Sequence, residues 1–220
     1  MIKSLIFDQD GTFYPKNHQL ILEIRKKTKN WIGKRLKKSI DEIDNLYKML
    51  PKRYPNPLEG FLSLGLNIKE YFYEVFDKTN PSNFLKKDNK LIEMLSDIKQ
   101  KKFVVTIASK KYSIKLQRAL GIDKLIDYTF SSEEYYKKDL SKIYIYEIIR
   151  KKLKLRPSDI CVIGDNIEVD LLPAIKKGYK GILVGNDSKD KRIISCKSIY
   201  EIKKAINYSN SFILLKGDRN

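Results

Sequence analysis

The chain has 220 residues, 45 of them basic and 27 acidic, for a formal net charge of +18. Its apolar content of 42% can fill one core domain and a smaller second one, but the apolar runs are too broken for a membrane span of about 18 residues. Two cysteines exclude a disulfide framework, and one histidine, His18, excludes a Cys/His metal set or a Ser–His–Asp arrangement. The basic residues are dispersed over polar helix faces, as at Lys34–Lys38, Arg150–Lys152 and Lys189–Arg192, with no nucleic-acid motif among them. The expectation is therefore no specific nucleic-acid partner and no membrane. The positive field should still speed encounters with anionic substrates. The N-terminus opens on a strand without a signal-peptide pattern, so a cytoplasmic monomer or weak homo-oligomer is expected.

The first predicted element is a buried strand, Ile2 to Phe7, which runs into Asp8-Gln9-Asp10-Gly11-Thr12. On an extended chain residues i and i+2 point the same way, so Asp8 and Asp10 are expected to aim at one point. Gly11 lets the backbone turn and present N–H groups to an anion. Helical stripes follow: Leu20 to Ile32, Ile40 to Leu50, a break at Pro51, Pro55 and Pro57, then Leu58 to Phe76 and Leu91 to Ile98. A second apolar strand, Phe103 to Val105, ends in Thr106. Tyr112 to Leu120 reads as a helix closed by Gly121, and Tyr128 to Phe130 as a short strand. Ser141 is the expected N-cap of a helix to Leu153. A third buried strand, Ile160 to Ile163, runs into Gly164-Asp165-Asn166, with Asp170 just beyond in a helix closed by Gly178. A strand at Gly181–Val184 and a helix at Ile199–Ile206 follow. The apolar run Phe212–Leu215 reads as an edge strand or a docked segment.

Strand–helix alternation of this kind predicts an α/β fold, a doubly wound, Rossmann-like parallel sheet. Its ligand crevice lies at the carboxyl ends of the strands, where Asp8, Thr106 and Asp165 would converge. Nearly a hundred residues separate Asp8 from Thr106, whereas a plain crossover needs roughly 30. The surplus is too long for a loop and predicts a helical insertion. The expected division is a catalytic core of 1–14 and 100–220 and a helical domain of 15–99.

The ordered set Asp8-Gln9-Asp10-Gly11-Thr12, Thr106, Lys138 and Gly164-Asp165-Asn166 with Asp170 resembles the four motifs of the haloacid dehalogenase superfamily. The resemblance implies a phosphatase with a mobile cap formed by the insertion. It makes Asp8 the nucleophile, Asp10 the general acid and base, and Thr106 the phosphate-binding hydroxyl, with Ser109 as its competitor. Lys138, or else Lys137, is the charge-neutralising lysine. It further implies Mg²⁺ on Asp8, the Asp10 backbone carbonyl and Asp165, supported by Gly11, Asn166 and Asp170. The second aspartate favours phosphate-ester hydrolysis, because dehalogenases of the superfamily typically lack it. The stretch from Tyr54 to Leu95, with Thr106–Lys110 and Tyr14-Pro15, is similar to the pyrimidine 5′-nucleotidase branch and makes Tyr54 a candidate substrate contact. The expected partner is a small phosphorylated substrate, such as a nucleoside 5′-monophosphate. The alternatives are a phosphomutase, a sugar-phosphate or phosphoglycolate phosphatase, and a non-enzymatic binder of phosphate ligands.

Overall fold

The computed structural model describes residues 1–217, with side chains to residue 209. In chain order the elements are β1 (Ser4–Phe7), α1 (Gln19–Leu36), α2 (Ile40–Arg53), α3 (Pro57–Ser63) and α4 (Ile68–Tyr71), which continues as a π-helical turn over Phe72–Asp77. Then come α5 (Asn89–Asp97), β2 (Lys101–Thr106), α6 (Lys110–Leu120), β3 (Tyr128–Ser131), α7 (Ser132–Tyr135) and α8 (Lys142–Leu153). The last elements are β4 (Ile160–Gly164), a second π-helical turn (Ile167–Leu171), α9 (Leu172–Lys176), β5 (Lys180–Val184), β6 (Ile193–Cys196) and α10 (Ile202–Gly217).

The strands form a six-stranded, wholly parallel sheet in the order β3-β2-β1-β4-β5-β6. The order reverses between β1 and β4, and that reversal opens a crevice at their carboxyl ends. Both faces of the sheet are buried. Leu5, Phe7, Val104, Cys161, Ile163 and Ile182 belong to the apolar cluster on one side. Their neighbours Ile6, Val105, Val162 and Leu183 join Ile145, Tyr146 and Ile149 of α8 on the other. This strict alternation makes each central strand read as a continuous apolar run. Each fully buried Leu, Ile or Phe contributes roughly 1.5–3 kcal/mol.

Four helices separate β1 from α5. His18 caps α1, its Nδ1 accepting from the Leu20 N–H at 3.2 Å. Ser39 and Glu42 form a capping box on α2. The break expected at Pro51 does not occur there; α2 runs through Pro51 to Arg53, and the Tyr54 N–H closes its last turn on the Leu50 carbonyl at 2.8 Å. Trp31, Phe61, Tyr71 and Phe76 hold this layer together by ring contacts of 4.8–5.6 Å. α5 packs elsewhere, against the end of α6 and the turn at 199–201. Asp88 caps α5, its N–H donates to the Leu120 carbonyl, and its carboxylate accepts from the Tyr200 hydroxyl at 2.6 Å.

Three elements differ from expectation. The short edge strand β6 and the four-residue helix α7 have no counterpart in the sequence pattern. The run 212–215 falls within the α10 helix rather than in a strand, and its side chains lie outside the described residues. Among the described residues no helix is long and apolar enough to cross a membrane.

Candidate active site

The crevice at the ends of β1, β2 and β4 holds a cavity of about 320 Å³ lined by Asp8, Asp10, Thr106, Lys142, Asp165 and Asp170, among others. Asp8 follows β1 directly and is locked by its backbone N–H, which donates to the Ile163 carbonyl at 2.8 Å. Its two carboxylate oxygens have different partners. Oδ1 accepts from the Lys142 ammonium, and Oδ2 from the Thr12 hydroxyl at 3.1 Å.

Lys142, not Lys138, is the lysine of this site. Its Nζ bridges Asp8 and Asp170, the latter at 2.7 Å, and the side chain is 2% exposed. Lys137 and Lys138 lie in the turn after α7 and are exposed. The reason is helical phase. Ser141 caps α8, so Lys142 opens the helix and falls on the same buried stripe as Ile145, Tyr146 and Ile149. Burial alone would lower the Lys142 pKa, but Asp170 and then Asp8 outweigh it and hold the ammonium well above its usual range.

Asp165 follows β4 and completes a group with Asp8 and Asp170 whose oxygens lie within 4.8 Å of one another. Burial, then Asp8 and Asp170, push the Asp165 carboxyl up to about 7, although Lys16 pulls against this. The Lys16 Nζ sits 3.0 Å from Asp165 Oδ2. Burial likewise raises Asp170 to about 6 against the opposing pull of Lys142. Three carboxylates share one buried ammonium and one half-exposed one. The cluster is short of positive charge, and its all-oxygen donor set suits a hard divalent cation.

Two glycines allow this crowding. A Cβ on Gly11, whose φ is +95°, would stand 2.5 Å from an Asp165 carboxylate oxygen. A Cβ on Gly164 would stand 2.5 Å from Asp170 Oδ2. Both positions require the bare backbone.

Asp10 lines the same cavity, but its carboxylate shares no hydrogen-bond partner with that of Asp8. β1 ends at Phe7, and the chain turns at once, with the Thr12 and Phe13 N–H groups returning to the Gln9 carbonyl. The two-residue period of a strand therefore does not extend to Asp10. Its Oδ1 accepts from the Tyr112 hydroxyl at 2.9 Å and from the Tyr14 hydroxyl, and its Oδ2 from Gln9 at 3.2 Å. Burial raises its pKa, the Tyr14 hydrogen bond opposes this, and the charge of Asp8 raises it further.

Thr106 ends β2, buried, and its Oγ1 accepts from the Ala108 N–H at 3.1 Å. Its competitor Ser109 is committed elsewhere, as the N-cap of α6 and as a donor to Asp77 at 2.6 Å. Asn166 caps the π-helical turn through Glu168 and Val169, and its own N–H donates to Asp170 at 3.1 Å. Tyr71 and Phe76 close the cavity from the helical side. Tyr54 is not in this cavity; it lines a larger neighbouring cleft. Lys142, Thr12, Lys16, Tyr14 and Tyr112 carry contacts at the site that the motif reading did not assign. For Lys142 the signal was present in the α8 stripe. For Lys16 and Tyr112 no local pattern marks them.

The sequence signature of haloacid dehalogenase-like hydrolases matches residues 2–178, and the chain belongs to that family. No curated protein sequence matches it. Among solved structures, a HAD phosphatase from Thermococcus onnurineus is similar, with a TM-score of 0.61 at 19% identity over 93% of this chain and 98% of that one. A β-phosphoglucomutase from Clostridium difficile reaches 0.60 at 17% identity, covering 97% and 100%. A 2-haloacid dehalogenase from Pseudomonas syringae reaches 0.57 at 13% identity, covering 94% and 99%. These three bear different activities on one fold, so the chemistry must be argued from the site.

Proposed function

We propose that this hydrolase is a Mg²⁺-dependent phosphatase of small phosphate monoesters that works through an aspartyl-phosphate. The observation that carries this reading is the buried Lys142 bridge between Asp8 and Asp170, with another carboxyl, Asp10, lining the same cavity. An Asp8 oxygen attacks phosphorus, and the ester P–O bond breaks. Asp10 donates its proton to the departing alkoxide, then takes one from the water that attacks the aspartyl-phosphate. Phosphate leaves and the Asp8 carboxylate is restored. Burial that raises the Asp10 pKa favours the protonated form needed first. Lys142 neutralises charge gathering at Asp8 and the phosphate, the role expected of Lys138. The Thr106 hydroxyl and the N–H groups after it are suited to hold phosphate oxygens. Asp8, Asp165 and the Asp10 carbonyl would hold the cation, which screens the charge of the phosphate dianion. Asp170 and Asn166 orient Lys142 and the turn around it. We assign the cap to the helices between β1 and β2, within 15–99, with the core on either side.

The decisive assay is phosphate release over nucleotides, sugar phosphates and phosphoglycolate. Release is expected with Mg²⁺ and not in excess EDTA; full turnover in EDTA after exhaustive metal removal overturns the metal role. A phosphomutase would return the phosphoryl group to substrate rather than to water. Pyrimidine monophosphates among the better substrates would support the nucleotidase branch and a role for Tyr54.

Asp10→Asn is expected to slow alkyl phosphates about 10²-fold or more, the usual scale of general acid catalysis. It should slow p-nitrophenyl phosphate much less, because that leaving group needs no proton. Equal slowing of both would remove the acid role from Asp10.

The metal-free protein should also respond to pH. A carboxyl whose folded pKa lies above its unfolded value favours folding below the unfolded value and loses that contribution as pH rises through the folded one. Asp165 at about 7 and Asp170 at about 6 place this loss between roughly pH 4 and 7. The melting temperature in EDTA is expected to fall from pH 5 to pH 8, and Mg²⁺ to raise it more at pH 8. Each 1 kcal/mol corresponds to about 2–4 °C in a chain of this size.

A further inference from the structure

We infer that the substrate carries a second anionic group besides the phosphate that is cleaved, and that Arg25 reads it. The inference rests on the phosphatase reading and specifies its substrate class. Beside the cavity of the reaction lies a cleft of about 1140 Å³ lined by α1 and α2. Arg25, Pro55, Pro57 and Asn166 line both spaces. Such a cleft is larger than a simple phosphate ester needs, since pockets that enclose a whole drug-sized ligand run to about 300–1,000 Å³.

Its walls are strongly one-signed. Arg25, Lys26, Lys29, Lys34 and Lys38 face a single carboxylate, Asp44. Asp44 is taken by Lys29 at 2.7 Å, and Lys38 pairs with Glu42 at 2.7 Å. Arg25, Lys26 and Lys34 have no carboxylate partner among the described residues, and Arg25 has no hydrogen-bonding partner there either. Cations without a carboxylate partner among the described residues also occur elsewhere on these helices, as at Lys48 and Lys52; what sets Arg25 apart is that it lines both spaces. Leu22, Arg25, Lys26, Lys29 and Gly33 share one face of α1 by helical spacing, so the helix itself directs them into the cleft. An unpaired guanidinium at the junction of the two spaces is suited to grip a phosphate by a two-pronged hydrogen bond. The substrate class is a bisphosphorylated small molecule, cleaved at one phosphate and held by the other.

The test compares matched pairs under Mg²⁺: a nucleoside 5′-monophosphate with its 3′,5′-bisphosphate, and a hexose monophosphate with the hexose bisphosphate. The expected result is a kcat/KM about tenfold or more higher for the bisphosphorylated member of at least one pair, the scale of a charge-assisted contact. Arg25→Met should move that ratio towards one, Arg25→Lys should keep part of it, and added salt should shrink it. Equal kcat/KM within every pair, or a parallel fall of both members in Arg25→Met, overturns the inference while leaving the phosphatase reading intact. If no ester is turned over at all, the phosphatase reading fails separately. Calorimetry with the nucleoside bisphosphate then decides: equal binding to wild type and Arg25→Met, or no binding to either, overturns the inference, and weaker binding to the variant supports it.

Discussion

Replacing Lys142 with methionine is expected to abolish turnover and to destabilise the protein by about 3–5 kcal/mol, the usual result of removing one partner from a buried ion pair. The ammonium is 2% exposed and bridges two carboxylates, Asp8 and Asp170. Without it both are left in a cavity that already holds Asp165. Protonation of Asp170 would recover part of the loss, so the deficit should shrink at low pH. Lys138→Met is the matched control. Lys138 is exposed, and its loss should change stability by no more than about 0.5 kcal/mol. Urea denaturation at pH 5 and 7 measures both variants. A Lys142→Met protein as stable as the wild type would mean that the buried cluster does not need the lysine charge.

The second large effect has the opposite sign for stability. Asp8→Asn is expected to lower turnover by about 10⁴-fold or more, the scale on which loss of a nucleophile is felt. No acid-stable or hydroxylamine-sensitive phosphate should then be trapped on the protein. Asp8 is one of the charges that raise the pKa of Asp165, Asp170 and Asp10. Its neutral amide relieves that repulsion and leaves Lys142 paired with Asp170. Above pH 7 and without metal, the variant is expected to melt at or above the wild-type temperature. Residual activity comparable to wild type would remove Asp8 from the nucleophile's role, and a large loss of stability would mean that the cluster is held by attraction rather than strained by repulsion.

Much of this architecture is legible from residues. The buried runs at Leu5–Phe7, Val104–Val105 and Ile160–Ile163 are continuous because both faces of the sheet are covered, and each ends at a polar residue in the crevice. Caps at Ser141 and closures at Gly121 and Gly178 follow local rules that tertiary packing did not override. The resemblance points to Lys138, whereas helical phase points to Lys142: the stripe of Lys142, Ile145, Tyr146 and Ile149 puts a charged residue on a buried face, which is itself the mark of a paired ion. The partners of Asp10 were not legible, because the end of β1 at Phe7 depends on where pairing with β2 and β4 stops. Lys16 and Tyr112 reach the site through the tertiary fold alone. β6 was passed over because four residues of mixed polarity beside a basic cluster carry little period-two signal.

The position of β1 also constrains how the molecule comes into being. The strand that delivers Asp8 leaves the ribosome before either of its neighbours, yet it lies between β2 and β4, pairing Ser4 with Lys101 on one side and with Ile160 on the other. At about 5–20 residues per second, its second neighbour emerges roughly 8–30 s later. During that interval Leu5, Ile6 and Phe7 have no finished sheet to enter. The intervening helices, whose contacts are short in sequence, can fold meanwhile, whereas the crevice must wait for the most distant pairing in its centre. Catalytic competence is thus a late event in synthesis. A chain truncated before β4 would hold its helical insertion and its first aspartate but no reaction centre.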